Sequence, residues 1–326
     1  MNIINKINVL NKISEEMKLV VKHQQDNASS EPAADNNQMR LNYELEREFW
    51  NEGGAVMFGT HDVFIDFEQV KIKTRIYYPQ EQDQYKTIFF IHGGGWVVGS
   101  IKTHDRMMRN LASLSKCAVI GIDYSLAPDK KFPFQIQECN SAIEYFIKNS
   151  KKYKLSPDEF SYAGDSAGAN MCMGTFLYQK EKKTIDTNLI KSMALFYGVY
   201  GLKDSVSRTL YGNDIDWLRE EDIQYYYNEY LEKDIDINSK FVNIFNADLT
   251  DNIPNCFIAS CEFDPLKDDS VALYEILKQT NHSEYKEYKG VMHAFLHYTR
   301  MMKIANEAIQ DGADFITKNF NFNQRS

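Results

Sequence analysis

Residues 87–100 read TIFFIHGGGWVVGS: an apolar run, Thr87–Ile91, then a histidine and three consecutive glycines, Gly93, Gly94 and Gly95. Glycines in such a row mean that something approaches the backbone closer than a side chain permits. Two kinds of atom fit that need: a phosphate cradled by amides, or an oxygen that gains negative charge during a reaction. The phosphate strings are missing. No G-x-x-x-x-G-K-[ST] occurs, and Gly93, Gly95 and Gly99 miss the third glycine of G-x-G-x-x-G by one position. The segment that follows, WVVGS, is apolar and lacks the character of a phosphate-binding helix N-terminus.

The second answer requires a nucleophile. Residues 160–174, FSYAGDSAGANMCMG, hold Gly164-Asp165-Ser166-Ala167-Gly168, a G-x-S-x-G string between a strand-like and a helix-like run. A serine at so sharp a turn is strained, and the turn closes only if the residues two before and two after carry almost no side chain. The strain holds the Ser166 hydroxyl above the carboxyl edge of the sheet, where open α/β sheets place their ligands. Alone the string is common. Paired with an upstream His-Gly-Gly-Gly, each after a strand, it becomes specific. Amides around Gly94 and Gly95, with that of Ala167, are expected to surround a developing oxyanion. His92 suits a hydrogen bond that shapes the loop.

In this architecture the chain order is serine, acid, histidine. His282 precedes the last strand, at the amino edge of the sheet; His293 (GVMHAF) follows it, where a base must stand; His297 comes one turn later and reads as a packed or surface residue. His293 is the expected base. The acid should also leave a strand at its carboxyl edge. CFIASCEFDPLKDDS offers Glu262, Asp264, Asp268 and Asp269. Asp264 stands just beyond the strand and is held extended by Pro265, whereas Asp268 and Asp269 read as N-terminal charges of the next helix. No H-E-x-x-H or other clustered ligand string occurs, so no metal and no cofactor is expected.

Strand-like runs (87–91, 118–123, 160–163, 192–197, 256–260, 284–288) alternate with helix-like ones (105–115, 135–149, 167–179, 269–279, 301–319). That alternation predicts an α/β fold, a mostly parallel sheet flanked by helices. Ahead of it, VFIDFEQVKIKTRIYYP alternates as two antiparallel strands. At the N-terminus Ile3, Ile7, Leu10, Ile13, Met17 and Val20 recur at helical spacing, predicting one amphipathic helix docked on the protein itself. A polar linker, Gln24–Gln38, and a second helix, Met39–Asn51, follow. Residues 201–251 contain a Tyr-rich helical stretch and no clear strand. An insertion of that length is a candidate lid, a candidate dimer surface, or both. The expected plan is therefore N-terminal cap helices over 1–55 and an α/β domain over 56–326 that carries a cap insertion at about 201–251.

Composition limits the partners. The 326 residues carry a formal net charge of −9, which argues against nucleic acid or an anionic membrane surface. The basic run 148–154 reads as a solvated helix end. Five cysteines, Cys117, Cys139, Cys172, Cys256 and Cys261, show neither disulfide nor zinc spacing and predict buried free thiols in a reducing compartment. No run approaches the ~20 apolar residues of a membrane span, and the N-terminus lacks a signal peptide's apolar core, so the cytoplasm is the expected location.

HGGGW, GDSAG, THDRMMR, VIGIDYSLAP, FPFQ, CEFDPLKDDS and HAFLHYTRMMK together resemble the bacterial acetyl esterases in the hormone-sensitive-lipase-like branch of α/β-hydrolases, over nearly the whole chain. The resemblance implies Ser166, Asp264 and His293 as a catalytic triad, with His92, Gly93, Gly94, Gly95 and Ala167 serving the oxyanion hole. It also implies a helical cap, hydrolysis of short acyl esters from acetyl to about octanoyl, and contact with a maltose-regulon activator and an α-galactosidase. Trp96 stands where the family commonly has Phe, which predicts a narrower acyl pocket. The rival reading is a binding or regulatory protein on a hydrolase scaffold, like the plant gibberellin receptor, which resembles this branch but has lost the triad histidine. Here every triad position is filled.

Overall fold

The alternating stretch folds as its period of two requires: β1 (Gly59–Phe67) and β2 (Val70–Tyr78) pair antiparallel in continuous register. The structure is a computed structural model that describes residues 5–27, 33–212 and 218–322. Six further strands extend the hairpin: β3 (Tyr85–Ile91), β4 (Ala118–Asp123), β5 (Leu155–Asp165), β6 (Ile190–Phe196), β7 (Asn255–Phe263) and β8 (Glu284–Met292). The sheet runs β1-β2-β4-β3-β5-β6-β7-β8, antiparallel as far as the β2–β4 pair and parallel beyond. β4 keeps its expected bounds and β6 is shifted towards its start by one to two residues, whereas β3, β5, β7 and β8 run longer than their expected apolar centres.

The parallel strands are apolar on both sides because helices cover both faces. Phe89 and Ile91 of β3 enter one core, beneath α4 (Phe134–Lys148), α5 (Ala167–Lys182) and α8 (Lys267–Leu277). Ile88 and Phe90 enter the other, beneath α3 (Asp105–Ser115) and α9 (Lys303–Phe322). Cys256 and Cys261, an odd number of residues apart on β7, fall into opposite cores.

At the N-terminus the structure corrects the sequence reading. The helix α1 spans Glu15–Asn27, not the whole run from Ile3, and Ile3 itself lies outside the described residues. Ser14 sets its start: the Oγ accepts from Met17 N at 3.1 Å and two glutamates follow in the first turn. Upstream the chain is tethered rather than coiled, with Ile7 N donating to Leu210 O and Ser14 N to Gly290 O. Ile13 is buried and Ile7 and Leu10 half-buried all the same, so in this stretch the apolar spacing reported burial and not helix. Gln24–Asn27 complete α1 instead of beginning the linker, whose residues 28–32 lie outside the described part.

The helix α2 (Asn36–Asn51) begins ahead of its expected start, capped by Asp35, whose carboxylate accepts from Gln38 N at 2.8 Å. Arg40 bonds it to the body through the carbonyls of Val97 (3.0 Å) and Ala127 (2.8 Å), just past the triple glycine. Arg109 of α3 takes the carbonyls of Asn51, Gly53 and Ala55 at its other end. Residues 201–251, of which 213–217 lie outside the described part, contain α6 (Val206–Leu210) and α7 (Glu220–Tyr230) and no strand among their described residues. α2 and α7 touch, Asn36 Nδ2 donating to Glu229 at 2.9 Å and Tyr225 O–H to Asn36. No helix of the described residues is long and apolar enough to cross a membrane.

All five cysteines are free and buried, and burial pushes the Cys117 thiol up to about 11 and that of Cys256 to about 12. Thiolate reactivity should therefore be silent in the native protein. A thiol-reactive chromogen is expected to register fewer than about one group before denaturation and all five afterwards. Fast reaction of two or more native thiols contradicts the packing.

Candidate active site

The turn that carries Ser166 is built by contact between backbones. Ser166, between β5 and α5, adopts φ +53° and ψ −121°, outside the region an L-residue favours. A Cβ at Gly168 would overlap the Ile91 carbonyl, and one at Gly164 would meet the Gly168 backbone and the same carbonyl. Both glycines are needed because β3 runs directly against the turn. Ser166 N–H is anchored to Phe196 O at 2.8 Å. Non-glycine residues with positive φ recur around the same rim: Trp96 after β3, Tyr197 after β6 and Ala294 after β8.

Three segments distant in sequence meet there. Ser166 Oγ lies 2.9 Å from His293 Nε2, and His293 Nδ1 lies 2.8 Å from Asp264 Oδ2. With Asp264 ionised, Nδ1 carries the proton and Nε2 accepts from the serine hydroxyl. Asp264 is fully buried, and its second oxygen accepts Leu266 N–H at 2.8 Å. The ring of Tyr197 packs edgewise on His293 at 5.0 Å. His282 is remote from this group: its N–H bonds Asn255 at the opposite edge of the sheet.

The residues around the triple glycine divide in two. Gly94, Gly95 and Ala167 line one cavity with Ser166 and His293. Gly93 does a different job from the one the resemblance implies, and His92 takes the loop-shaping role read from its position and not the oxyanion role that the resemblance implies. Gly93 N–H is already donated to Asp165 Oδ1 at 2.9 Å, so it is not available to an oxyanion. The His92 ring bonds the Gly93 carbonyl at 2.8 Å and stacks on Tyr124, whose hydroxyl donates to His92 O at 2.9 Å. Both residues shape the loop. Burial and the neighbouring His104 push His92 down to about 3, so it stays neutral at physiological pH.

Several functional-looking groups carried no local signal. Burial opposes ionisation of Asp165, yet His104, with Nε2 at 3.3 Å, and the Gly93 amide hold its carboxyl below the usual value. Tyr197 O–H adds a longer bond to the same carboxylate at 3.4 Å. His297 is buried, and burial together with Arg47 pushes it well below its ordinary value. His104, Asp165 and His297 bring ligand atoms within 4.8 Å of one another, a spacing that a cation accepts. The Arg47 charge bearing on His297 and the prior bonds of Asp165 favour reading the group as a brace. Asp269 does more than start a helix. It accepts the amides of Tyr200 (2.7 Å), Gly201 (2.9 Å) and Leu202 (3.2 Å), where the 201–251 segment leaves β6.

The cavity above Ser166 measures about 860 Å³. α1 and α2 form one wall; α7, Trp96, Val199 and Leu266 form another. Trp96 is buried and stacks on Tyr230 at 4.4 Å with the planes nearly parallel.

A family profile described as the alpha/beta hydrolase fold matches residues 88–297, more than half of the chain. The chain belongs to the α/β-hydrolase fold family. Among solved structures, this hydrolase is similar to an esterase from the hyperthermophilic archaeon Pyrobaculum calidifontis, with TM-score 0.88 and 26% identity over 94% of this chain and 98% of that one. It is also similar to a thermostable carboxylesterase cloned from a metagenomic library, with TM-score 0.84 and 25% identity over 88% and 98%. An ester hydrolase from the Lake Arreo metagenome, at TM-score 0.88 and 22% identity over 95% and 99%, bears on the fold alone.

Two predictions follow from the geometry of this hydrolase. Gly168→Ala forces a methyl group into the Ile91 carbonyl, and overpacking against rigid backbone should lower stability by about 1–3 kcal/mol or more in denaturant titration; unchanged stability contradicts the contact. Glu138 accepts Ser125 N–H and O–H at 2.8 Å each, bracing the loop that carries Tyr124. Burial raises its carboxyl to about 7 from 4.5, so its stabilising contribution is full below pH 4.5 and is lost as pH rises through about 7. Glu138→Gln should therefore gain melting temperature relative to the native chain as pH climbs across that window. Parallel curves contradict the assignment.

Proposed function

We propose that the protein is a serine carboxylesterase acting on short-chain acyl esters through an acyl-enzyme. The observation that carries the reading is the relay Ser166 Oγ to His293 Nε2 at 2.9 Å and His293 Nδ1 to Asp264 at 2.8 Å. The esterases and the carboxylesterase to which the chain is similar support the same chemistry.

In this reading Ser166 attacks the ester carbonyl while His293 takes its proton, and Asp264 orients the ring and stabilises its charge. The amides of Gly94, Gly95 and Ala167 take the oxyanion, the arrangement that lowers the barrier most in acyl transfer. His293 then protonates the departing alcohol and activates the water that releases the acid. α1, α2 and the 201–251 segment act as the cap. The apolar wall at Trp96 and the cavity volume suit acyl chains from acetyl to about octanoyl, Trp96 narrowing that side.

Ser166→Ala should lower kcat on p-nitrophenyl acetate by about 10⁶. More than a tenth of native activity in that variant contradicts the assignment. Across p-nitrophenyl esters of rising acyl length, kcat/KM should fall beyond octanoate, because Trp96 narrows the acyl side. A monotonic rise through palmitate contradicts the proposed acyl range.

A further inference from the structure

The cavity is chemically divided, and the division points to the alcohol half of the substrate; this inference rests on the esterase reading above. On the side of α7 the lining is apolar and buried: Trp96, Leu218, Ile223, Tyr227 and Leu266. On the side of α1 and α2 the lining is mixed: beside Met17, Leu45 and Phe49 it presents the polar groups of Gln24, Asn42, Glu46 and Arg47.

The polar wall adjoins the base. Tyr43 of α2 reaches His297 Nε2 at 3.4 Å, and the Arg47 guanidinium lies over the rings of Tyr43 (4.4 Å) and Tyr298 (5.9 Å). Both His297 and Tyr298 belong to the turn that follows His293. Gln24 Nε2 donates to Tyr298 O–H at 2.9 Å and reaches Glu46 at 3.5 Å. During acylation the new Ser166 Oγ–acyl bond forms as the ester C–O bond breaks, and the serine proton passes through His293 Nε2 to the departing alcohol oxygen. That oxygen must stand within hydrogen-bond reach of Nε2. The rest of the alcohol then extends along the wall beside His293, while the acyl chain takes the apolar side.

This wall is more than a wet rim. Arg47 is only 6% exposed, and its Nε has no hydrogen-bond partner among the described residues. A buried guanidinium donor left unmade is costly unless a ligand completes it. Arg47 and the Asn42 amide supply donors, and Glu46 and the Gln24 carbonyl supply acceptors, a mixture that matches neighbouring hydroxyl groups. The Glu46 carboxylate bonded to Arg47 offsets its charge and disfavours an anionic alcohol. We propose that the α1–α2 wall is an alcohol subsite selecting hydroxyl-rich leaving groups, so that the substrate class is short-chain acyl esters of neutral polyols or sugars.

The test compares 6-O-acetylglucose with cyclohexylmethyl acetate, which shares the acyl group, ring size and primary oxygen but lacks the hydroxyls. Both give the same acetyl-enzyme, so kcat/KM isolates the alcohol. A site built to hydrogen-bond hydroxyls discriminates strongly against an analogue without them, and the native enzyme should prefer the sugar ester by about tenfold or more. Arg47→Met removes a buried charge and risks the fold; Asn42→Leu and Gln24→Leu, at half-buried positions, should each cut the preference about fivefold. Equal or better turnover of cyclohexylmethyl acetate by the native enzyme, or a preference unchanged in both variants, overturns the subsite. Failure to hydrolyse either ester or p-nitrophenyl acetate overturns the esterase reading itself, and the subsite with it.

Discussion

The close approach of two backbones, the end of β3 and the turn after β5, is the constraint on which the rest depends. Gly168 lies against the Ile91 carbonyl, and Gly93 N–H reaches across to Asp165. Neither contact survives an added side chain at the glycine. Once made, they fix a strained serine beside a loop of free amides, and β6, β7 and β8 then deliver Tyr197, Asp264 and His293 to the same rim. Stability and geometry are therefore one matter here: the packing that tightens the sheet also holds Ser166 in a conformation it does not favour.

Electrostatics reinforces that arrangement. Asp165 is buried and kept ionised by His104 and the Gly93 amide, so the glycine loop is tied by a charge and not by a neutral bond alone. His92 and His297 are both pushed towards the neutral form by burial. Among the histidines near the serine, only His293 has both a carboxylate on one nitrogen and the hydroxyl on the other. His92 and His297 shape and pack; they are poorly suited to carry a proton.

Much of this was legible before any coordinates. The parallel sheet showed in the alternation of apolar runs, and the sharp turn at Ser166 showed in the spacing of Gly164, Ser166 and Gly168, because local backbone demands leave local strings. His293 and Asp264 followed from sheet polarity. What stayed hidden depends on partners far away in the chain. Gly93 reads like its neighbours until Asp165 is seen to claim its amide. Asp269 looks like an ordinary helix-start charge until three amides beyond β6 converge on it. Arg47, Tyr197 and His104 sit in unremarkable local patterns, and only the fold brings Arg47 to the cavity, Tyr197 against His293 and His104 against Asp165. The N-terminal helix was overextended because Ile7, Leu10 and Ile13 are wholly or partly buried without being helical, and apolar spacing cannot separate the two.

The central claim is that one hydroxyl, Ser166, is activated by convergence of these segments. Labelling with a fluorophosphonate followed by peptide mass mapping tests it most directly. The account predicts one phosphonyl group per chain, on the peptide carrying Ser166, and loss of labelling when His293 is replaced by Ala. Labelling on another residue, or labelling of Ser166 that is indifferent to His293, contradicts it.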